Sequence, residues 1–125
     1  MLFKIRHLEL KTIQVLNRLN EYRIMWVMVY FDLPVVETIQ RKQATKFRQD
    51  IMKDGFTMFQ YSMYMRHCFS TENADVHIQR VQGLLPDRGH VVITKITDKQ
   101  FGDMKIFYCR EKKQRENMPQ QLELF

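Results

Sequence analysis

Cysteine, proline and glycine are scarce in this chain, with two, three and four residues respectively among 125. Cys68 and Cys109 are too few to staple a disulfide scaffold, and neither belongs to a Cys-x-x-Cys pair. His67 precedes Cys68, but two adjacent donors do not close a tetrahedral zinc site. Both cysteines therefore read as reduced residues. Phosphate loops and dinucleotide fingerprints need clustered glycines and are absent, as are the HExxH and GxSxG signatures. No apolar run approaches the roughly 20 residues that span a bilayer. The opening segment 1–20 also lacks the apolar stretch of roughly 7–15 residues that marks a signal peptide. The expected location is cytoplasmic.

Basic residues are not scarce. Twenty Lys and Arg against 14 Asp and Glu leave a formal charge of +6. An acidic partner is the natural complement, and nucleic acid is the commonest, since each cation near a phosphate releases condensed counterions. A mildly basic protein without a polyanionic ligand has the same totals, so charge alone does not choose. The length suits one domain with a core of its own.

Along the chain, Ile5, Leu8, Thr12, Val15, Leu16 and Leu19 share one face at helical spacing. Residues 1–20 thus read as an amphipathic helix, either for docking or as an extension with no fixed place in the fold. The run Ile24 to Phe31 is apolar throughout and stops at Asp32-Leu33-Pro34, the pattern of a central strand buried on both faces. Glu37 to Asp54 is helical, with Ala44, Phe47 and Ile51 on the apolar face and Gly55 as its stop. Residues 56–66 are β-prone and fit one kinked strand or two short ones.

Ser70 is a natural N-cap for a second helix. That helix carries Ala74, Ile78, Val81 and Leu85, and Pro86 and Gly89 close it. Val91 to Ile96 form a strand, Asp98 to Gly102 a turn, and Met104 to Tyr108 a further strand. The order predicts an α+β ferredoxin-like sandwich, an antiparallel sheet with two helices on one face. Three segments follow: an extension over 1–20, the domain over 21–109, and a linker with a C-terminal interaction strand over 110–125. The uncovered sheet face, with Met28, Tyr30 and large aromatics, predicts a homodimer that hides it.

Asp32 is the candidate metal ligand. Its carboxylate ends a buried strand and favours a hard cation such as Mg²⁺, although one carboxylate alone makes a poor site. Two such carboxylates brought together across a twofold suit it better. Asp is also a common turn initiator, and that reading stays beside the first. No ionisable neighbour between Phe31 and Val36 offers a general base. Arg41, Lys42, Lys46 and Arg48 on the first domain helix, with Arg66 and Arg110 at strand ends, are the candidate nucleic-acid contacts. The alternative for the helix is a solvated face, which its acidic members Glu37, Asp50 and Asp54 partly support. The aromatic run 56–64 fits a base-stacking platform or, more simply, core and interface packing. Leu122, Leu124 and Phe125 read as a strand added to a partner's sheet edge. The histidines His7, His67, His77 and His90 are scattered and read as surface or helix residues.

Several ordered segments together resemble one known family. They are Tyr22 to Pro34, Lys46-Phe47-Arg48, Lys53-Asp54-Gly55-Phe56, Gln60 to Tyr64, Arg66-His67-Cys68 and Glu72-Asn73-Ala74. Ile96 to Gly102 and the ending Gln121 to Phe125 complete the set. The family is that of the CRISPR-associated protein Cas2, and the last two segments are similar to members from type II loci, which also encode Cas9. The resemblance covers about residues 22–125. Members begin near the position of Tyr22, so the first helix stands outside it.

The resemblance implies a ferredoxin-like homodimer seated between two dimers of the Cas1 integrase. There it helps hold a short DNA duplex for spacer insertion into the CRISPR array. It also implies Mg²⁺-dependent endonuclease activity on single-stranded RNA or on DNA, with the metal-binding aspartate at Asp32. The C-terminal strand, 121–125, is expected to touch the partner protomer and the integrase. A stand-alone metal-dependent RNase or toxin of the same fold is the alternative.

Overall fold

The computed structural model describes residues 2–109, with side chains from Glu9 onward. Eight elements follow one another. They are α1 (Leu2–Arg23), β1 (Met25–Asp32), α2 (Thr38–Lys53), β2 (Thr57–Gln60), β3 (Met63–Cys68), α3 (Thr71–Gln82), β4 (His90–Thr97) and α4 (Asp98–Gly102). The strands form one antiparallel sheet in the order β2-β3-β1-β4. This is the ferredoxin-like arrangement, in which β1 pairs on both sides.

Alternation along β1 sorts its side chains between two faces. Met25, Val27, Val29 and Phe31 pack with Phe47 and Ile51 of α2 and with Ala74 and Val81 of α3 in one buried cluster. Tyr64 and Cys68 join it from β3, and Phe31 lies edge-on to Phe47 with ring centroids 5.4 Å apart. Burying these side chains drives the sandwich together, since each large aliphatic or aromatic contributes about 1.5–3 kcal/mol when removed from water. Trp26, Met28, Tyr30 and Asp32 alternate to the opposite face.

Helix ends are fixed by local chemistry. Gln40 Oε1 accepts from the backbone N–H of Val36 and Glu37 ahead of α2. Gly55, at φ 94°, turns the chain out of that helix. Ser70 Oγ accepts from the Asn73 N–H at 3.0 Å and caps α3. The 56–66 region resolves into two strands, because Ser62 adopts φ 63° and closes a tight turn between them.

Three local expectations need correction. The second domain helix stops at Gln82 with Gly83 as its C-cap. Leu84 instead of Leu85 therefore packs on the core, while Pro86 and Gly89 lie in the loop beyond. Asp98 to Gly102 is a short helix, not a plain turn. Thr97 and Gln100 cap each other, Gln100 N–H to Thr97 Oγ1 at 3.1 Å and Thr97 N–H to Gln100 Oε1 at 2.9 Å. Met104 to Tyr108 forms no strand among the described residues. A strand needs a neighbouring edge to complete its ladder, and this segment pairs with neither edge strand of the sheet, β2 or β4. Ile106, Phe107 and Tyr108 are exposed there, Phe107 at 77%.

Helix α4 folds onto the uncovered sheet face and caps one end of it. Phe101 stacks on Trp26 with centroids 4.0 Å apart and planes 9° from parallel. The Trp26 indole N–H donates to Asp98 Oδ1 at 2.7 Å. The far end of the same face keeps Val92 exposed at 59%. In helix α1, Val15, Leu16 and Leu19 of the stripe read from its sequence are exposed, as are Leu10 and Ile13. No described helix is long and apolar enough to cross a membrane.

Candidate functional site

Asp32 is the last residue of β1 and pairs across the ladder with His90, the first residue of β4. Directly opposed residues of an antiparallel pair project to the same face with Cβ atoms about 5 Å apart. Both side chains are exposed, so the carboxylate stands open at the sheet's end and not between apolar walls. Among the described residues it enters no ion pair. A hard cation favours an open, unpaired carboxylate with room for waters, and Asp32 meets that test. No group of three acidic, His or Cys side chains gathers around it among the described residues, so one protomer supplies an incomplete coordination sphere.

The corner leading into β4 is pressed against the end of β1. Gly89 has φ 108°, and a Cβ at this position would lie 2.8 Å from the Asp32 carbonyl oxygen and 2.8 Å from Leu33 Cδ2. Only glycine fits so close an approach in that conformation. It delivers His90 to its place opposite Asp32. Sequence reading passed over His90 because 58 residues separate it from Asp32 and only strand register joins them.

Three of the four predicted basic contacts on α2, Arg41, Lys42 and Lys46, are brought together on one exposed face, and Arg48 lies outside it. Thr38, Arg41, Lys42, Thr45, Lys46 and Gln49 line a shallow groove along it. Arg41 is anchored by donating to the carbonyls of Val35 and Val36 at 3.2 and 2.7 Å. Lys46 pairs with Asp50 at 2.7 Å, and Arg48 lies over the Tyr61 ring, 6.0 Å from its centroid. A face of cations and hydroxyls with partly fixed geometry suits a row of phosphates.

Arg66 is placed differently from its expected position at a free strand end. Its Nε donates to the Asp54 carbonyl and its Nη1 to the His67 carbonyl, both at 2.7 Å. The guanidinium also packs on Gly55, where a Cβ would come within 3.0 Å of it. Arg66 thus ties β3 to the end of α2. Arg110, Leu122, Leu124 and Phe125 lie outside the described residues.

A second polar cluster escaped the sequence reading. Asp54, the C-cap of α2, receives His77 Nδ1 at 2.7 Å and Arg80 Nη1 at 2.9 Å. Burial pushes the Asp54 carboxyl up, but the His77 and Arg80 hydrogen bonds and charges outweigh it and hold the group below its ordinary value. His77 is 3% exposed, a buried helix residue and not a surface one. The signal was present: His77 falls between Ala74 and Val81 on the buried stripe of α3. Cys68 is buried beside this cluster, and burial pushes its thiol up.

Comparison with known proteins gives a consistent result. The family model described as CRISPR associated protein Cas2 matches residues 25–104. A CRISPR-associated endoribonuclease Cas2 of Flavobacterium psychrophilum is 48% identical over 109 residues, covering 87% of this chain and 95% of that one. The protein of the same name from Parvibaculum lavamentivorans is 46% identical over 101 residues, 81% of this chain and all of the relative. A crystal structure of cas2 aligns over 71% of this chain and 91% of that one, with TM-score 0.48 and 19% identity.

Proposed function

The chain belongs to the Cas2 family, and from that premise we propose that it is a CRISPR adaptation protein, a homodimeric scaffold that holds short duplex DNA and docks the Cas1 integrase. The observation that carries this reading is the pairing of an uncovered apolar sheet end with an ordered basic helix face on one small domain. Val92, exposed at 59%, and Ile106, Phe107 and Tyr108 beyond it give a second copy something to bury against. Strand β4 is an edge of the sheet, and the β-prone segment 104–108 can pair with the matching edge of a partner protomer. Two copies so joined would double the α2 groove into a track for the two phosphate rows of a duplex. The segment Gln121 to Phe125 is the proposed integrase contact.

Co-purification with the candidate integrase, with and without a short duplex, tests this directly. A complex that forms with the full chain and is lost on removal of residues 121–125 supports the reading. A truncated chain that still joins the integrase and supports spacer acquisition would refute the docking role. On the duplex itself, replacing Arg41, Lys42 and Lys46 by Gln should flatten the salt dependence of binding, since each lost phosphate contact lowers the slope by about 0.9. An unchanged slope would remove α2 from the interface.

A second reading, metal-dependent endoribonuclease activity, is favoured by the name the relatives carry and by the open carboxylate of Asp32. A divalent ion bound there supplies Lewis-acid polarisation of a scissile phosphate. In this chain Asp32 would hold the ion, and the α2 groove would orient the backbone. Cleavage of RNA and DNA by wild type and Asp32→Ala, with Mg²⁺ or chelator, decides it. Equal residual activity in the two proteins would assign the cleavage to a contaminant.

A further inference from the structure

We propose that His90 is a second ligand of the Asp32 site and shifts its preference from Mg²⁺ towards first-row transition ions such as Mn²⁺. The inference rests on the reading of Asp32 as a metal ligand and adds the residue that sets which metal is held. Three observations support it. His90 stands directly opposite Asp32 in the β1–β4 ladder, so the two side chains emerge from the same face as neighbours. Both are exposed, leaving the carboxylate oxygens and a ring nitrogen open to an ion. The corner before His90 packs closely on the end of β1, since a Cβ on Gly89 would lie 2.8 Å from the Asp32 carbonyl oxygen.

The donor set decides the metal. Mg²⁺ takes oxygen ligands and keeps its waters, and it gains little from imidazole. A nitrogen donor beside the oxygen favours first-row transition ions over Mg²⁺, the gain being smallest for Mn²⁺ and rising along the series. Asp87, close in sequence, is not the obvious third ligand, since its carboxylate accepts from Gln43 Nε2 at 3.2 Å. One protomer therefore offers one oxygen and one nitrogen donor group, with the remaining positions open to water or a phosphate oxygen.

Titration of the full-length protein with Mn²⁺, followed by electron paramagnetic resonance, tests this in wild type, His90→Gln and Asp32→Asn. Mg²⁺ affinity is read by competition in the same samples. His90→Gln should weaken Mn²⁺ binding at least tenfold, leave Mg²⁺ within twofold, and abolish the histidine nitrogen modulation in the echo envelope. Asp32→Asn should weaken both ions. Mn²⁺ affinity within twofold of wild type in His90→Gln, or nitrogen modulation that persists, overturns the role of His90 alone. Unchanged affinity for both ions in Asp32→Asn overturns the metal reading of Asp32 itself. Because His90 is exposed, its replacement should leave the thermal unfolding midpoint unchanged, and coincident melts of the variant and wild type verify that the comparison is between folded proteins.

Discussion

Replacing Asp54 by Ala strikes a carboxylate that joins the end of α2 to α3. Its side chain is 12% exposed and holds two partners, His77 at 4% side-chain exposure and Arg80 at 59%. The Arg80 contact is largely solvated and contributes about 0.5 kcal/mol. The His77 contact is not. Removing the acceptor leaves a buried ring N–H without a partner, at about 1–3 kcal/mol. The total expected loss is about 1.5–3.5 kcal/mol, measured as the urea midpoint at pH 7 with protein concentration held constant. Asp54→Asn retains an acceptor but loses the charge, so it should fall between Ala and wild type.

The pH dependence gives the sign. The Asp54 carboxyl is held below its ordinary value in the folded protein, because the His77 and Arg80 interactions outweigh the effect of burial. Its ionised form therefore contributes stability above the unfolded value of about 3.9, lost as pH falls through the lower folded value. The gap between wild type and Asp54→Ala should be widest near neutrality and close as pH drops below about 4. A gap under about 0.5 kcal/mol at pH 7, the range of ordinary surface substitutions, would refute the reasoning. So would a gap that does not change with pH.

Phe101→Ala should uncover Trp26, the single tryptophan of the chain, by removing the ring stacked 4.0 Å from it. A red-shifted emission maximum and a loss of about 1–3 kcal/mol are expected, and unchanged emission would show that α4 does not cover the indole. Gly89→Ala should cost about 1–3 kcal/mol, since φ 108° and a 2.8 Å approach to the Asp32 carbonyl leave no place for a methyl group. Denaturant melts check it, and an unperturbed midpoint would mean the corner adjusts freely. Ser70→Ala should lower stability by about 1 kcal/mol through the lost cap on α3. Ser70→Gly, measured alongside, should cost less.

The family match covers β1 to α4 and leaves out all of α1. That helix is nonetheless tied to the domain where it ends: the Ile24 N–H bonds back to the Asn20 carbonyl, and the Ile24 carbonyl receives the Asp98 N–H at 2.9 Å. Through this bond the end of α1 meets the start of α4, next to the Trp26–Phe101 stack. A change in α1 would thus be felt first at that corner of the sheet, away from Asp32 at the opposite end of β1.

Periodicity over short windows determined most of the elements: the buried run of β1, the stripe Ala44, Phe47 and Ile51 of α2, and Ser70 before α3 all act through neighbours a few residues away. The capping pair Thr97 and Gln100 was equally local and marks α4, although its spacing reads as a turn when the surrounding polar residues are weighed first. Tertiary structure alone decided which charged groups are available. Arg66 looks free in sequence and is tied to backbone carbonyls, while His77 looks ordinary and is buried against Asp54, since both depend on packing between distant elements. The 104–108 segment has strand propensity but pairs with neither edge of its own sheet, and propensity alone does not form a ladder. Asp32 was conspicuous from the start. His90 became its neighbour only through the register of β1 and β4, a long-range pairing that no local pattern encodes.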